Sequence, residues 1–189
     1  RILRVKFQMG LFEKPYRTNN EIEEKTLLAP EHVEIAREMA KRSIVLLKNE
    51  NQILPLEKNL NKIAVIGPLA DNKKEMLGTW AITGNEEDVV TILSGINSAV
   101  EKDTEIVHAK GCEVIGIKGA DINAAVEIAN ESDVIIAVVG ENADMSGEAS
   151  SRMDLNLPGQ QEELLKALHQ TGKPVIVVLI NGRPLSIPW

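Results

Sequence analysis

The sequence predicts a three-layer α/β/α sandwich built on a mainly parallel, doubly wound sheet. Two observations carry this. The runs Lys62-Ile-Ala-Val-Ile-Gly67, Val134 to Val139 and Val175 to Ile180 are apolar without polar alternation. That pattern belongs to strands buried on both faces, as in parallel sheets. These runs also alternate with segments of about ten residues whose apolar positions recur at helical spacing, the mark of β-α-β units. The totals agree: 189 residues with 43% hydrophobic content suffice for one real core.

In chain order, Arg1 to Gln8 reads as a helix with Ile2, Leu3 and Phe7 among cations, stopped by Gly10. Glu13 to Pro30 is polar, with Pro15 and Asn19-Asn20, and reads as a linker or surface loop. Glu31 to Arg42 has the spacing of an amphipathic helix, through Val33, Ala36, Met39 and Ala40. Pro30 stands at its start and Lys41-Arg42 at its end. The β-branched run Ser43 to Lys48 is short enough to favour a strand, and Leu54-Pro-Leu56 reads as extended.

The strand Lys62 to Gly67 ends at the breaker Gly67-Pro68, and Ala70 to Trp80 reads as a loop. Val90, Leu93, Ile96 and Val100 predict a helix within Val89 to Val100, followed by a strand from Glu105 to Ala109. Ile122, Ala125, Val126 and Ala129 make the next helical stripe, with Asp121 near its start. A strand from Asp133 to Val139 leads into a long loop. Pro158 then opens a helix carrying Leu164, Leu165 and Leu168, ended by Gly172. Lys173-Pro174 leads into the last strand, Val175 to Ile180. The chain opens on Arg1 and stops at Pro188-Trp189, so we expect it to enter a fold midway and to lack part of its sheet.

Several function classes are disfavoured. The net charge is −7, from 21 basic and 28 acidic residues, and no basic stripe suggests a nucleic-acid partner. No run approaches the roughly 18 apolar residues of a membrane span. No signal peptide is visible, and that absence is uninformative about location. Cys112 is the only cysteine, which excludes an internal disulfide and suits buried filler. His32, His108 and His169 fall in separate predicted elements, so no metal site is implied. No glycine-rich dinucleotide or phosphate-loop motif is present, and no cofactor is expected. Ser146 and Ser150 lack the nucleophile-elbow context.

The stretch Gly140 to Gln161 stands out. It leaves a buried strand and carries four carboxylates, one arginine and three serines. Open α/β sheets place ligands in loops at the carboxyl ends of their strands. Glu141 sits at the strand end, and Glu148 sits mid-loop after the freely turning Gly147. Either fits a general acid held near substrate, and composition and spacing do not rank them. Arg152, four residues after Glu148, suits orienting a carboxylate, bonding a polar ligand or a plain surface ion pair. Asp144 and Asp154 read as turn formers. Trp80 lies in the predicted loop after the first strand, where its indole suits stacking on a sugar ring or plugging a core.

Eight stretches, in order, resemble family 3 glycoside hydrolases, the β-glucosidase group. They are Ala36 to Asn49, Leu54-Pro-Leu56, Ile63 to Pro68, Leu77-Gly-Thr-Trp80, Ser146-Gly-Glu-Ala-Ser-Ser-Arg152, Leu157-Pro-Gly-Gln160, Gly172-Lys-Pro174 and Gly182-Arg-Pro184. The resemblance implies an N-terminal (β/α)8 barrel that provides an aspartate nucleophile. It also implies a following α/β sandwich that provides the acid/base from a loop. Residues 1–12 then correspond to the end of the barrel, 13–30 to the interdomain linker and 31–189 to an incomplete sandwich domain. Glu148 falls on the acid/base, Trp80 on a tryptophan beside the leaving-group subsite, and Arg152 inside the motif, as a candidate substrate contact. Glu141 is left as support.

The resemblance further implies a retaining exo-acting enzyme on terminal β-D-glycosyl residues, with a β-linked oligosaccharide or glycoside as substrate. The barrel of the same protein is the partner, and the location is periplasmic or secreted. The chain alone is expected to be inactive. Two alternatives remain at this point: a non-catalytic carbohydrate-binding or interaction module with a degenerate family fold, and a small-molecule enzyme such as a nucleotide binder on a doubly wound fold.

Overall fold

The computed structural model describes residues 1–16 and 19–188. Arg17 and Thr18, within the expected linker, and Trp189, at the end of the expected sandwich domain, lie outside the described residues. The chain divides into two compact units, Arg1–Pro55 and Leu56–Trp189.

The first unit is helical. Helix α1 spans Ile2–Gln8, α2 spans Asn20–Thr26 and α3 spans Pro30–Ser43. Phe7 stacks on Phe12 with ring centroids 4.3 Å apart, folding the chain back after α1. The stretch expected to be wholly linker or loop holds α2. Its cause is local: Asn19 Oδ1 accepts from the Glu21 and Ile22 amides at 3.1 and 3.2 Å, and Glu21 and Glu23 complement the helix dipole. No apolar stripe advertises such a helix.

Pro30 opens α3, where its missing N–H has no intrahelical partner to lose. The expected strand from Ser43 to Lys48 does not form. Ser43 is the last residue of α3, and Ile44–Leu47 are irregular and exposed. A β-branched run becomes a strand only where a neighbour accepts its ladder, and this one pairs with no strand among the described residues.

The second unit is the sandwich. In order it comprises β1 (Lys62–Ile66), α4 (Lys73–Leu77), α5 (Ile92–Ala99), β2 (Glu105–Ala109), α6 (Ile122–Asn130), β3 (Val134–Gly140), α7 (Gln161–Gln170) and β4 (Val175–Ile180). The sheet order is β2-β1-β3-β4 and every pairing is parallel. Alternation along each strand sorts the core into two layers. Ala64, Ile66, Ile135, Ala137 and Val139 pack with Ala125 and Ala129 of α6 and with Leu164, Leu165 and Leu168 of α7. Ile63, Val65, Val134, Ile136 and Val138 face Ile92, Leu93 and Ile96 of α5 on the other side. The three-layer α/β/α arrangement expected from the sequence is therefore present.

Local chemistry explains the element ends. Asp121 Oδ1 caps α6 through the Ala124 amide at 3.0 Å. Asp133 Oδ2 accepts from the amides of Asn61 and Lys62 at 2.9 and 3.0 Å, tying the start of β3 to β1. Three sequence expectations shift. The stretch from Ala70 to Trp80 contains α4, capped when Asn72 Oδ1 accepts from the Glu75 amide. Helix α7 begins at Gln161 rather than at Pro158. Strand β4 is only partly buried, with Val177 43% exposed; among the described residues it pairs with β3 alone.

Gly140 ends β3 with φ +144°, and a Cβ there would lie 1.8 Å from the Ile180 carbonyl oxygen. Gly140→Ala is expected to cost roughly 2–3 kcal/mol from backbone strain and overpacking, measured by chemical denaturation. Cys112 is fully buried, and burial, aided by Glu113 and Glu163, pushes its thiol up to about 11. An unfolded thiol titrates near 8.5. Between those values the unfolded chain binds fewer protons than the folded one, so stability falls as pH rises through this window, by up to roughly 3 kcal/mol. Cys112→Ala should flatten that limb of the denaturation profile. Among the described residues no helix is long and apolar enough to cross a membrane.

Candidate active site

The strand order sets the location. From β1 the chain moves outward to β2, then returns across the sheet to β3 on the other side of β1. The loops leaving the carboxyl ends of β1 and β3 therefore diverge at a topological switch point, where doubly wound sheets bind ligands. The β1 loop carries α4, Thr79 and Trp80. The β3 loop carries Glu141, Glu148 and Arg152.

The two loops are pinned together. The Thr79 hydroxyl lies 2.7 Å from the Ser146 carbonyl oxygen and also within reach of the Ala143 carbonyl. The Ala143 amide donates to Glu75 Oε2 at 2.5 Å. Gly147 has φ +108°, and a Cβ there would fall 2.6 Å from Thr79 Cγ2, so only glycine permits this approach. The sequence-predicted Trp80 and Glu148 thus sit on loops locked through the residues directly before each of them. Trp80 is 68% exposed.

The two glutamates differ sharply. Glu141 is 3% exposed, and its amide extends the β3–β4 ladder by donating to Ile180 O at 2.8 Å. Its Oε1 accepts from Arg152 Nη1 at 2.6 Å and lies 3.0 Å from Arg183 Nε in an ion pair. Its Oε2 accepts from the Gly182 amide at 3.2 Å and from Arg183 Nε at 3.3 Å. Both oxygens are engaged by fixed donors. Glu148 is exposed, in the turn between Gly147 and the left-handed Ala149 (φ 63°). Among the described residues its carboxylate has no hydrogen-bond or ion-pair partner. Arg152 is turned inward: its guanidinium holds Glu141 and donates to Asn156 O at 3.2 Å. Asp154 forms a turn by accepting from the Asn156 amide at 2.9 Å.

Two structural residues escape a reading by spacing. Arg183 joins Glu141 to the loop carbonyls of Met145 and Ser150, the latter at 3.2 Å. Its partner carboxylate is 42 residues away in sequence. Gln161 is fully buried. Its Oε1 accepts from the Gly140 amide at 2.7 Å, and its Nε2 lies 2.8 Å from Gly140 O and 3.1 Å from the Pro158 and Val114 carbonyls. It closes the base of the loop. A signal existed: Gln161 begins the stripe Gln161, Leu164, Leu165, Leu168, where a polar residue on an apolar face needs internal partners.

Residues 44–189 match the glycosyl hydrolase family 3 C-terminal domain. The chain is 39% identical to a periplasmic β-glucosidase of Salmonella typhimurium, over 98% of this chain and 27% of that protein. It is 42% identical to a β-xylosidase of Formosa agariphila, over 100% of this chain and 27% of that protein. The crystal structure of a β-glucosidase from Listeria innocua superposes with a TM-score of 0.86 at 35% identity, covering 100% of this chain and 25% of the other. The chain thus spans about a quarter of the length of these relatives. It belongs to glycosyl hydrolase family 3, whose C-terminal domain it carries.

Proposed function

We propose that this chain provides the acid/base half of the active site of a retaining, exo-acting β-glycosidase. The observation that carries the reading is the contrast within one loop. Glu148 presents an unengaged carboxylate on an exposed turn at the switch point, whereas both oxygens of Glu141 are engaged. In the first step Glu148 protonates the glycosidic oxygen as an aspartate of the barrel domain attacks the anomeric carbon. In the second it takes a proton from the water that releases the sugar from the covalent intermediate. Trp80, on the loop pinned beside it, offers an indole face to the leaving group. Arg152 acts on the substrate through the loop it holds in place, and Glu141 is that loop's buried support.

A retaining mechanism needs a second carboxylate about 5–5.5 Å away across the scissile bond, and the barrel is the partner that brings it. The division into barrel end (1–12), linker (13–30) and sandwich domain (31–189) belongs to this reading. The compact unit Leu56–Trp189 and the family match over 44–189 both lie inside its third part. The names of the relatives span glucosidase and xylosidase, so the substrate is a terminal β-D-glycosyl residue of either type. The Salmonella protein's periplasmic location supports export of this one.

The test uses the full-length protein that contains this sequence. It should hydrolyse an aryl β-glycoside, with the first product formed in the β configuration by NMR. The 189-residue chain alone should be inert. First-formed α product, or robust turnover by the chain alone, overturns the proposal.

A further inference from the structure

We propose that Arg183 is the positioning residue of the acid/base turn, fixing where the Glu148 carboxyl stands relative to the sheet; this rests on the reading of Glu148 given above. Glu148 lies between Met145 and Ser150. The carbonyls of both flanking residues accept from one atom, Arg183 Nη2, with Ser150 O at 3.2 Å. The Nε of the same guanidinium holds Glu141, at 3.0 Å from Oε1 and 3.3 Å from Oε2. Glu141 is itself anchored to β4 by its amide. One rigid, planar group therefore clips both ends of the turn and refers them to the sheet.

Among the described residues no other side chain does this. Thr79 holds the Ser146 carbonyl but ties the turn to another loop. Arg152 shares Glu141 yet donates farther along the chain, at Asn156. The task also requires arginine. Nε and Nη2 act at once in fixed geometry, whereas a lysine offers one ammonium and cannot span the carboxylate and both carbonyls. An acid displaced by about 1 Å can lose on the order of 100-fold in rate without any change in its chemistry.

The experiment compares Arg183→Lys, Arg183→Met and Glu148→Ala in the full-length enzyme. Arg183→Lys keeps a cation beside Glu141, so folding is preserved, and it should melt close to wild type. We expect kcat/KM for an alkyl β-glycoside, whose leaving oxygen needs a proton, to fall by roughly 30–100-fold in both arginine variants. For a dinitrophenyl β-glycoside, whose leaving group needs none, kcat/KM should change by less than about threefold, and azide should restore part of kcat. Amide hydrogen exchange over residues 143–152 should accelerate at least tenfold, with α7 unchanged.

An equal loss on both substrates, or unchanged exchange in the turn, overturns the positioning role. Leaving-group selectivity in Glu148→Ala but not in Arg183→Lys overturns this inference and leaves the reading of Glu148 intact. Absence of selectivity in Glu148→Ala itself sinks that reading.

Discussion

Glu148→Ala in the full-length protein is expected to lower kcat/KM for an alkyl β-glycoside by about 10²–10⁴-fold. An alkoxide is a poor leaving group, and its departure needs a proton delivered in the transition state. That interaction is absent in the ground state, so its loss lowers kcat more than it raises KM. With a dinitrophenyl glycoside the first step needs no acid. The glycosyl-enzyme then accumulates, because water lacks its base, and KM falls together with kcat. Azide requires no deprotonation and should restore turnover by forming the β-glycosyl azide. A uniform loss on both substrates, with no azide effect, would falsify the assignment of Glu148.

Glu141→Ala should cost the fold about 3–5 kcal/mol. The carboxylate is 3% exposed and receives two guanidiniums whose side chains are only 17% and 18% exposed. Removing it leaves two partly buried cations facing each other without a counter-charge. It also strips the Gly182 amide of its acceptor. Pairs at the surface behave differently: Lys41–Glu38 is about half exposed at both ends, and its loss should cost well under 1 kcal/mol. For a protein of this size 1 kcal/mol moves the melting temperature by about 2–4 °C, so a fall of roughly 6–20 °C is expected by calorimetry. Glu141→Gln retains one acceptor oxygen and should fall in between. A loss under 1 kcal/mol for Glu141→Ala would show the network to be loosely held in solution.

The sheet was legible because its evidence is local and repeated. Apolar runs such as Val134–Val139 have few alternatives to a doubly covered strand, and the stripe from Ile122 to Ala129 has the period of one buried helix face. The misread elements lack such evidence. Helix α4 is five residues long and depends on one cap from Asn72, below the reach of any periodicity. Ile44–Leu47 has the composition of a strand, but pairing depends on a neighbour that composition cannot reveal. Within the site, the chemistry of Glu141 and Glu148 is identical on paper. Burial separates them, together with the pairing of Glu141 to Arg152 and to Arg183, the latter a partner 42 positions away that no spacing rule connects to it.

The placement of Arg183 just past β4 also makes the Glu148 turn depend on distant sequence. During synthesis Glu148 emerges long before Gly182 and Arg183. Both follow directly on β4, whose pairing with β3 brings them to Glu141. The turn that carries Glu148 is therefore expected among the last parts of this unit to set, because it depends on contacts of long sequence separation. A chain cut after Ile180 keeps the four strands found among the described residues and still leaves Glu148 on an unclipped turn.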